Sequence, residues 1–108
     1  MGKVDNLQGA LEILILKSLR QGPNHGFGIS SYIKHASGDI LRVEAGSLYP
    51  ALHRIAEDGL LKAEWRISEA GRRARFYELT PQGRRKLEGG RKQWQAISAA
   101  VARVLNAV

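Results

Sequence analysis

The amino-acid sequence predicts a mainly α-helical domain carrying one small β-hairpin. Three observations point to that class. Apolar residues recur at helical spacing in four separate segments. Between Leu61 and Leu79 the period changes to two, as it does in a half-buried hairpin. Directly after that change, Thr80-Pro81 supplies an N-cap followed by proline at the first helical position. With 108 residues, 44% hydrophobic and 25% charged, the chain has the size and composition of one globular domain. A domain this short buries only about 60–70% of its unfolded surface, so a helix docked on a second subunit would add stability that its own core lacks.

Each element has its own signal. Residues 6–20 read as a first helix, with Leu7, Leu11 and Leu14 on one face and Ile13, Leu16 and Leu19 widening the apolar surface almost all round. A helix that apolar needs cover on more than one side. Gly22-Pro23 stops it. Residues 25–36 form a shorter helix with Ile29, Tyr32, Ile33 and Ala36 at core spacing, and Gly38 is placed to end it in the left-handed conformation. Residues 47–58 make the third helix. Ser47 is read as its N-cap and Pro50 as a first-turn residue, where a missing N–H costs little. Leu48, Leu52 and Ile55 form its inward stripe and leave Tyr49, His53, Arg54 and Glu57 on or near the outer side; Gly59 ends it.

Leu61, Ala63, Trp65 and Ile67 then alternate with Lys62, Glu64 and Arg66 as a half-buried strand. After a loop over 68–74, Tyr77 and Leu79 alternate with Phe76 and Glu78 in a returning strand, so that Arg72, Arg73 and Arg75 lie at the hairpin tip. The last helix runs to about Asn106. Leu87, Trp94, Val101 and Val108 fall seven apart on it, with Ile97 and Val104 three residues further on. Gly89-Gly90 interrupts that pattern. Each interior glycine costs roughly 1 kcal/mol against alanine, which points to a bend or to two backbones in close approach. The apolar seam extends beyond what a three-helix core can cover, and a helix–helix dimer is the economical explanation. Residues 1–80 therefore form a winged helix-turn-helix, its N-terminal helix also in dimer contact, and residues 81–108 a C-terminal dimerisation helix.

Charge narrows the function. The chain holds 17 Lys and Arg against 10 Asp and Glu, a formal net charge of +7. Residues 1–61 are balanced, whereas 62–92 hold ten basic residues (62, 66, 72, 73, 75, 84, 85, 86, 91 and 92) and four acidic ones (64, 69, 78 and 88). A localised excess of that kind is the footprint of a polyanion partner, most often nucleic acid. The lack of cysteine excludes a disulfide framework, a zinc-thiolate site and a thiol nucleophile. No stretch approaches the ~20 apolar residues of a membrane span. The opening MGKVDN lacks a signal-peptide layout, and Asn6 stands where a myristoylation signal needs Ser or Thr. The expectation is a soluble cytoplasmic protein without membrane attachment. His25, His35 and His53 are too scattered for a metal site, and His53 with Glu57 is only a weak two-ligand signal. No nucleotide-binding or hydrolase motif is present. Neither an enzyme, a metal nor a cofactor is expected.

Three segments resemble the PadR family of bacterial transcriptional regulators, in order and over almost the whole chain: HGFGI after Gly22-Pro23, GSLYPALHRIAEDGLL, and GRRARFYELTPQGRRKL. The single C-terminal helix is similar to the family's short subclass. The resemblance implies a homodimeric winged-helix protein, usually a repressor, on an inverted-repeat operator. It implies that helix three enters the major groove, that the wing reaches the adjacent backbone or minor groove, and that the first and last helices build the dimer through Leu7, Leu11, Leu14, Leu87, Trp94, Ile97, Val101 and Val104. In the short subclass flat aromatic compounds bind at the dimer centre, which places an effector against Trp94 and Ile13. Phe27 departs from the tyrosine common at its position.

Candidate contacts to double-stranded DNA follow. Tyr49 lies in the first turn of the recognition helix, where its hydroxyl can meet a phosphate or its ring a base edge; packing on the helix flank is the competing role. Ser47 caps the helix and can touch a phosphate. Pro50 is chiefly architectural but faces the same side. His53 and Arg54 are placed to read bases, since arginine pairs with guanine O6 and N7; an i, i+3 pair between Arg54 and Glu57 is the alternative. Arg72, Arg73 and Arg75 have only Glu69 nearby, and phosphate neutralisation or insertion into a narrow minor groove is their expected role. Lys34 is a further phosphate contact or a solvated lysine. On charge alone, a non-sequence-specific nucleic-acid-binding architectural protein is the alternative to a regulator.

Overall fold

The most apolar segment of the chain becomes the helix around which the rest is assembled. The computed structural model describes residues 8–108, and the side chains from residue 10 onward; Leu7 lies outside the described residues. Helix α1 spans Gln8–Ser18. Its Ile15 and Leu16, with Leu19 just beyond it, are fully enclosed, while Ile13 and Leu14 are partly buried against the same core. A two-residue strand β1 (Asn24–His25) follows, then α2 (Gly26–Ala36), α3 (Ala45–Glu57), β2 (Leu61–Ile67), β3 (Arg73–Leu79) and α4 (Pro81–Leu105). The core joins α1 to Ile29 and Ile33 of α2, Leu48, Leu52 and Ile55 of α3, Leu61, Tyr77 and Leu79 of the hairpin, and Leu87 of α4. In α2 the buried positions are fewer than the periodicity gives, because Tyr32 and Ala36 remain exposed.

Strand β1 has no counterpart in the sequence reading. It pairs antiparallel with β3, Asn24 opposite Tyr77 and His25 opposite Phe76, and makes the sheet three-stranded in the order β1-β3-β2. Two residues are too few for any periodicity to show. Strands β2 and β3 pair over seven residues, from Leu61↔Leu79 to Ile67↔Arg73, which leaves a five-residue loop, 68–72. The expected alternation holds at the base of β2 and fails towards its end: Trp65 and Ile67 are 55% and 66% exposed. The outer half of the hairpin projects past the core, so neither face is covered there. Arg73 and Arg75 accordingly lie within β3, and only Arg72 belongs to the loop.

The start of α3 also differs from expectation. Glu44 is its N-cap, without a side-chain hydrogen bond, and Ser47 lies inside the first turn, its amide donating to the Glu44 carbonyl at 3.0 Å. Buried Val43 draws the chain into the core and sets the N-cap three residues earlier than the serine signal, and its carbonyl accepts from Ser30 Oγ at 3.2 Å. Pro50 is consequently inside the helix rather than in its first turn. It withholds the i→i−4 bond from Gly46, an exposed residue whose carbonyl can be hydrated. The far end follows the sequence: Gly59, at φ +80°, closes a Schellman cap in which Leu60 N donates to Ile55 O and Gly59 N to Ala56 O.

Helix α4 makes the molecule long. The extents are 56 × 32 × 21 Å, and the radius of gyration of 15.0 Å exceeds the ~13 Å of a compact chain this size. Its first half is locked in place. Thr80 Oγ1 accepts from Gly83 N at 3.0 Å and donates to Gly59 O at 2.8 Å. Gly83 leaves no room for a Cβ against the Leu60 carbonyl, and a Cβ on Gly90 would stand 2.8 Å from Ile13 Cδ1. The glycine pair thus marks a close approach to α1 at Gly90, while Gly89 faces open space. Two residues expected in a dimer seam, Leu11 and Leu87, are only 6% and 2% exposed within one chain, so they belong to its own core. From Lys92 onward every residue of α4 is exposed.

Candidate nucleic-acid interface

The glycines of HGFGI have steric causes that build the site. A Cβ on Gly26 would stand 2.6 Å from the Tyr49 ring and hydroxyl, and one on Gly28 would run into the Asn24 amide. Tyr49 of α3 therefore sits on the backbone at the start of α2 yet keeps 49% of its surface open. It is packed there and still presents an exposed edge to solvent. The α2 terminus is itself capped by an imidazole, since Gly28 N donates to His25 Nδ1 at 3.1 Å. His25 is held in turn by Asn24 Oδ1, which accepts from its amide at 2.8 Å, and its ring meets Phe76 edge-on at 5.2 Å.

Between this corner and the hairpin runs an open cleft of about 940 Å³, lined by His25, Phe27, Tyr49, Trp65, Arg72, Arg73, Arg75 and Tyr77 among others. Burial pushes the Tyr77 hydroxyl above its ordinary pKa, against the opposing pull of Arg75. The cleft thus brings Tyr49 together with the three wing arginines. His53 and Arg54 are exposed on the outer side of α3. Glu57 pairs with His53 at 3.4 Å and not with Arg54, so the alternative partner weighed for Arg54 is otherwise engaged. Ser47 and Pro50 are exposed near the start of the same helix, and Lys34, half-buried in the last turn of α2, is not among the residues that line the cleft. Among the described residues, Arg54, Arg72, Arg73 and Arg75 have no carboxylate within 4.0 Å, and no three His, Cys, Asp or Glu side chains form a metal-holding group.

Trp65 is the residue that sequence reasoning passed over. The Arg73 guanidinium lies 4.9 Å and that of Arg75 5.6 Å from its ring centroid. The signal was present in the alternation: β2 and β3 place Trp65 directly opposite Arg75, on the face they share with Arg73.

Trp94, Ile97, Val101 and Val104 share one exposed stripe along the outer half of α4. Ile13 packs over Gly90, one turn before Trp94. No described helix is long and apolar enough to cross a membrane.

A helix-turn-helix with an exposed polar helix, a basic two-stranded wing beside it and a long outgoing helix define a winged-helix protein of the nucleic-acid-binding class. Residues 15–89 match the transcriptional regulator PadR-like family. The chain is 33% identical over 94 residues to a transcriptional regulator of Mycobacterium tuberculosis, covering 87% of this chain and 84% of that one. It is 28% identical over 91 residues to the negative transcriptional regulator PadR of Bacillus subtilis, covering 84% of this chain but half of the relative. A PadR-like transcriptional regulator of Bacillus cereus superposes with a TM-score of 0.81 at 27% identity, over 97% of this chain and the whole of the other. The chain belongs to the PadR-like family of transcriptional regulators, and it is a DNA-binding protein of that family.

Proposed function

We propose that the protein is a homodimeric, sequence-specific repressor of a bacterial cytoplasm, acting at an inverted-repeat operator. Residues 1–80 form its DNA-binding unit and 81–108 its dimerisation helix. Helix α3 enters the major groove with His53 and Arg54 towards the bases. Tyr49, Ser47 and Pro50 lie along the entry of that helix, and Arg72, Arg73 and Arg75 reach the flanking backbone. Lys34 adds a phosphate contact. The observation that carries this reading is the cleft lined by Tyr49 and by three arginines that, among the described residues, have no carboxylate within 4.0 Å, with Glu69 the one acidic residue on the same lining. The exposed stripe of Trp94, Ile97, Val101 and Val104 supports a second copy as the partner of α4, and Leu14 of α1, half-buried on its own core, is proposed to join that seam. A flat aromatic effector held between the copies against Trp94 and Ile13 would relieve repression by favouring a dimer geometry that does not fit the operator.

A fluorescence-anisotropy salt titration tests it, with one duplex from the region upstream of the coding sequence and one scrambled. A preference of about 10³-fold or more supports sequence-specific regulation. Equal affinity with equal salt slopes supports the architectural reading instead. Arg72→Ala with Arg73→Ala weakens both duplexes and flattens the salt dependence; unchanged affinity removes the wing from the interface.

A further inference from the structure

The two faces of the hairpin treat their arginines differently. On one face Arg66 lies over the Phe76 ring, 5.4 Å from its centroid, but Glu64 beside it takes the Arg66 Nε–H at 3.0 Å. That ion pair occupies the edge of the guanidinium, where its donors are. On the other face the cross-strand pairs run Leu61/Leu79, Ala63/Tyr77, Trp65/Arg75 and Ile67/Arg73. It begins as core and ends as two arginines on an indole. Stacking engages the flat face of a guanidinium and leaves its five N–H donors in the plane free for phosphate.

We propose that Trp65 is a positioning residue for DNA binding, holding Arg73 and Arg75 extended towards the duplex without consuming their hydrogen-bonding edges. The proposal rests on the wing's role in the function proposed above. An arginine loses side-chain freedom when it is fixed on a ligand, and one already laid on a ring has given up part of that freedom before the DNA arrives. Trp65 is well suited to the task because more than half of it is open to solvent, so its position on the wing is not explained by burial in the core.

The test uses the whole chain and a fluorescein-labelled duplex about three helical turns long, of arbitrary sequence, because phosphate contacts are independent of sequence. Trp65→Leu keeps an apolar side chain and removes the ring. We expect binding about three- to tenfold weaker at low salt, the range of one or two exposed cation–π contacts. Trp65→Phe restores most of that loss, and the thermal midpoint moves little in either variant. In a chain already carrying Arg73→Ala and Arg75→Ala, Trp65→Leu has no further effect, because the coupling runs through the arginines. If Trp65→Leu binds like the native chain while the arginine pair is needed, the positioning role is overturned alone. If Trp65→Leu weakens binding equally without the arginines, the ring touches DNA itself and the proposal fails. If the arginine pair can be removed without loss, the wing's role and this proposal fall together. A readout free of DNA guards against a misfolded leucine variant: in a Trp94→Phe chain, where Trp65 is the remaining indole, removing both arginines shifts its emission. An unchanged spectrum overturns the stacking.

Discussion

The two halves of α4 follow one heptad pattern and meet different surroundings. From Pro81 to Arg91 the helix is tied to the body of the domain: Gly83 lies on the Leu60 carbonyl, Leu87 is enclosed, and Gly90 admits Ile13. From Lys92 onward the same spacing delivers Trp94, Ile97, Val101 and Val104 to solvent. The contrast teaches that a periodic apolar seam states which side of a helix is buried, and leaves open by which molecule. Leu87 and Trp94 are consecutive members of one series, yet the first completes the chain's own core and the second stands beyond its reach.

Substitutions along this helix should separate the halves. The largest effect is expected at Leu87. Leu87→Ala should cost about 2–5 kcal/mol through lost burial and the remaining cavity, read as a lower midpoint in urea unfolding. That is a large share of the ~5–15 kcal/mol of a typical domain. Gly83→Ala comes next. A methyl group there meets a backbone carbonyl that cannot rotate away, and overpacking of about 1–3 kcal/mol should exceed alanine's helix preference. In the outer half, Val101→Glu should leave the unfolding free energy of the separate chain within about 0.5 kcal/mol. It should nevertheless shift the sedimentation coefficient from dimer to monomer. An unaltered dimer would show that this stripe is not the seam. The glycine pair gives the smallest and sharpest comparison. Gly89→Ala, facing open space, should stabilise by up to about 1 kcal/mol. Gly90→Ala should gain less, because the Ile13 methyl group must swing aside.

Much of this was legible from the chain. Apart from β1, the element order, the positive-φ glycines that end α2 and α3 at Gly38 and Gly59, the inward stripe of α3 and the extent of α4 all follow from local chemistry. The failures share a cause: a tertiary contact overrides a local signal. Ser47 is a fitting cap, but buried Val43 begins the helix before it. Strand β1 exists only because β3 offers it an edge, so no pattern within Asn24–His25 announces it. Alternation in β2 identified the faces correctly but could not say that the core ends before Trp65. At the site, the cluster of arginines was readable from the sequence, whereas the ring beside them required a register.

Thr80 carries one consequence further. Its amide donates to Leu60 O at 3.2 Å and its hydroxyl to Gly59 O at 2.8 Å, while the same oxygen caps α4. The end of α3, the exit of the hairpin and the root of the longest helix therefore share a single fulcrum. A rigid helix of 25 residues is about 37 Å long, so a tilt of about 5° at that root carries its tip roughly 3 Å. Read in the opposite direction, the arm gears a displacement at its far end down to a small rotation at Gly59 and Leu60, delivered through hydrogen bonds to their carbonyls.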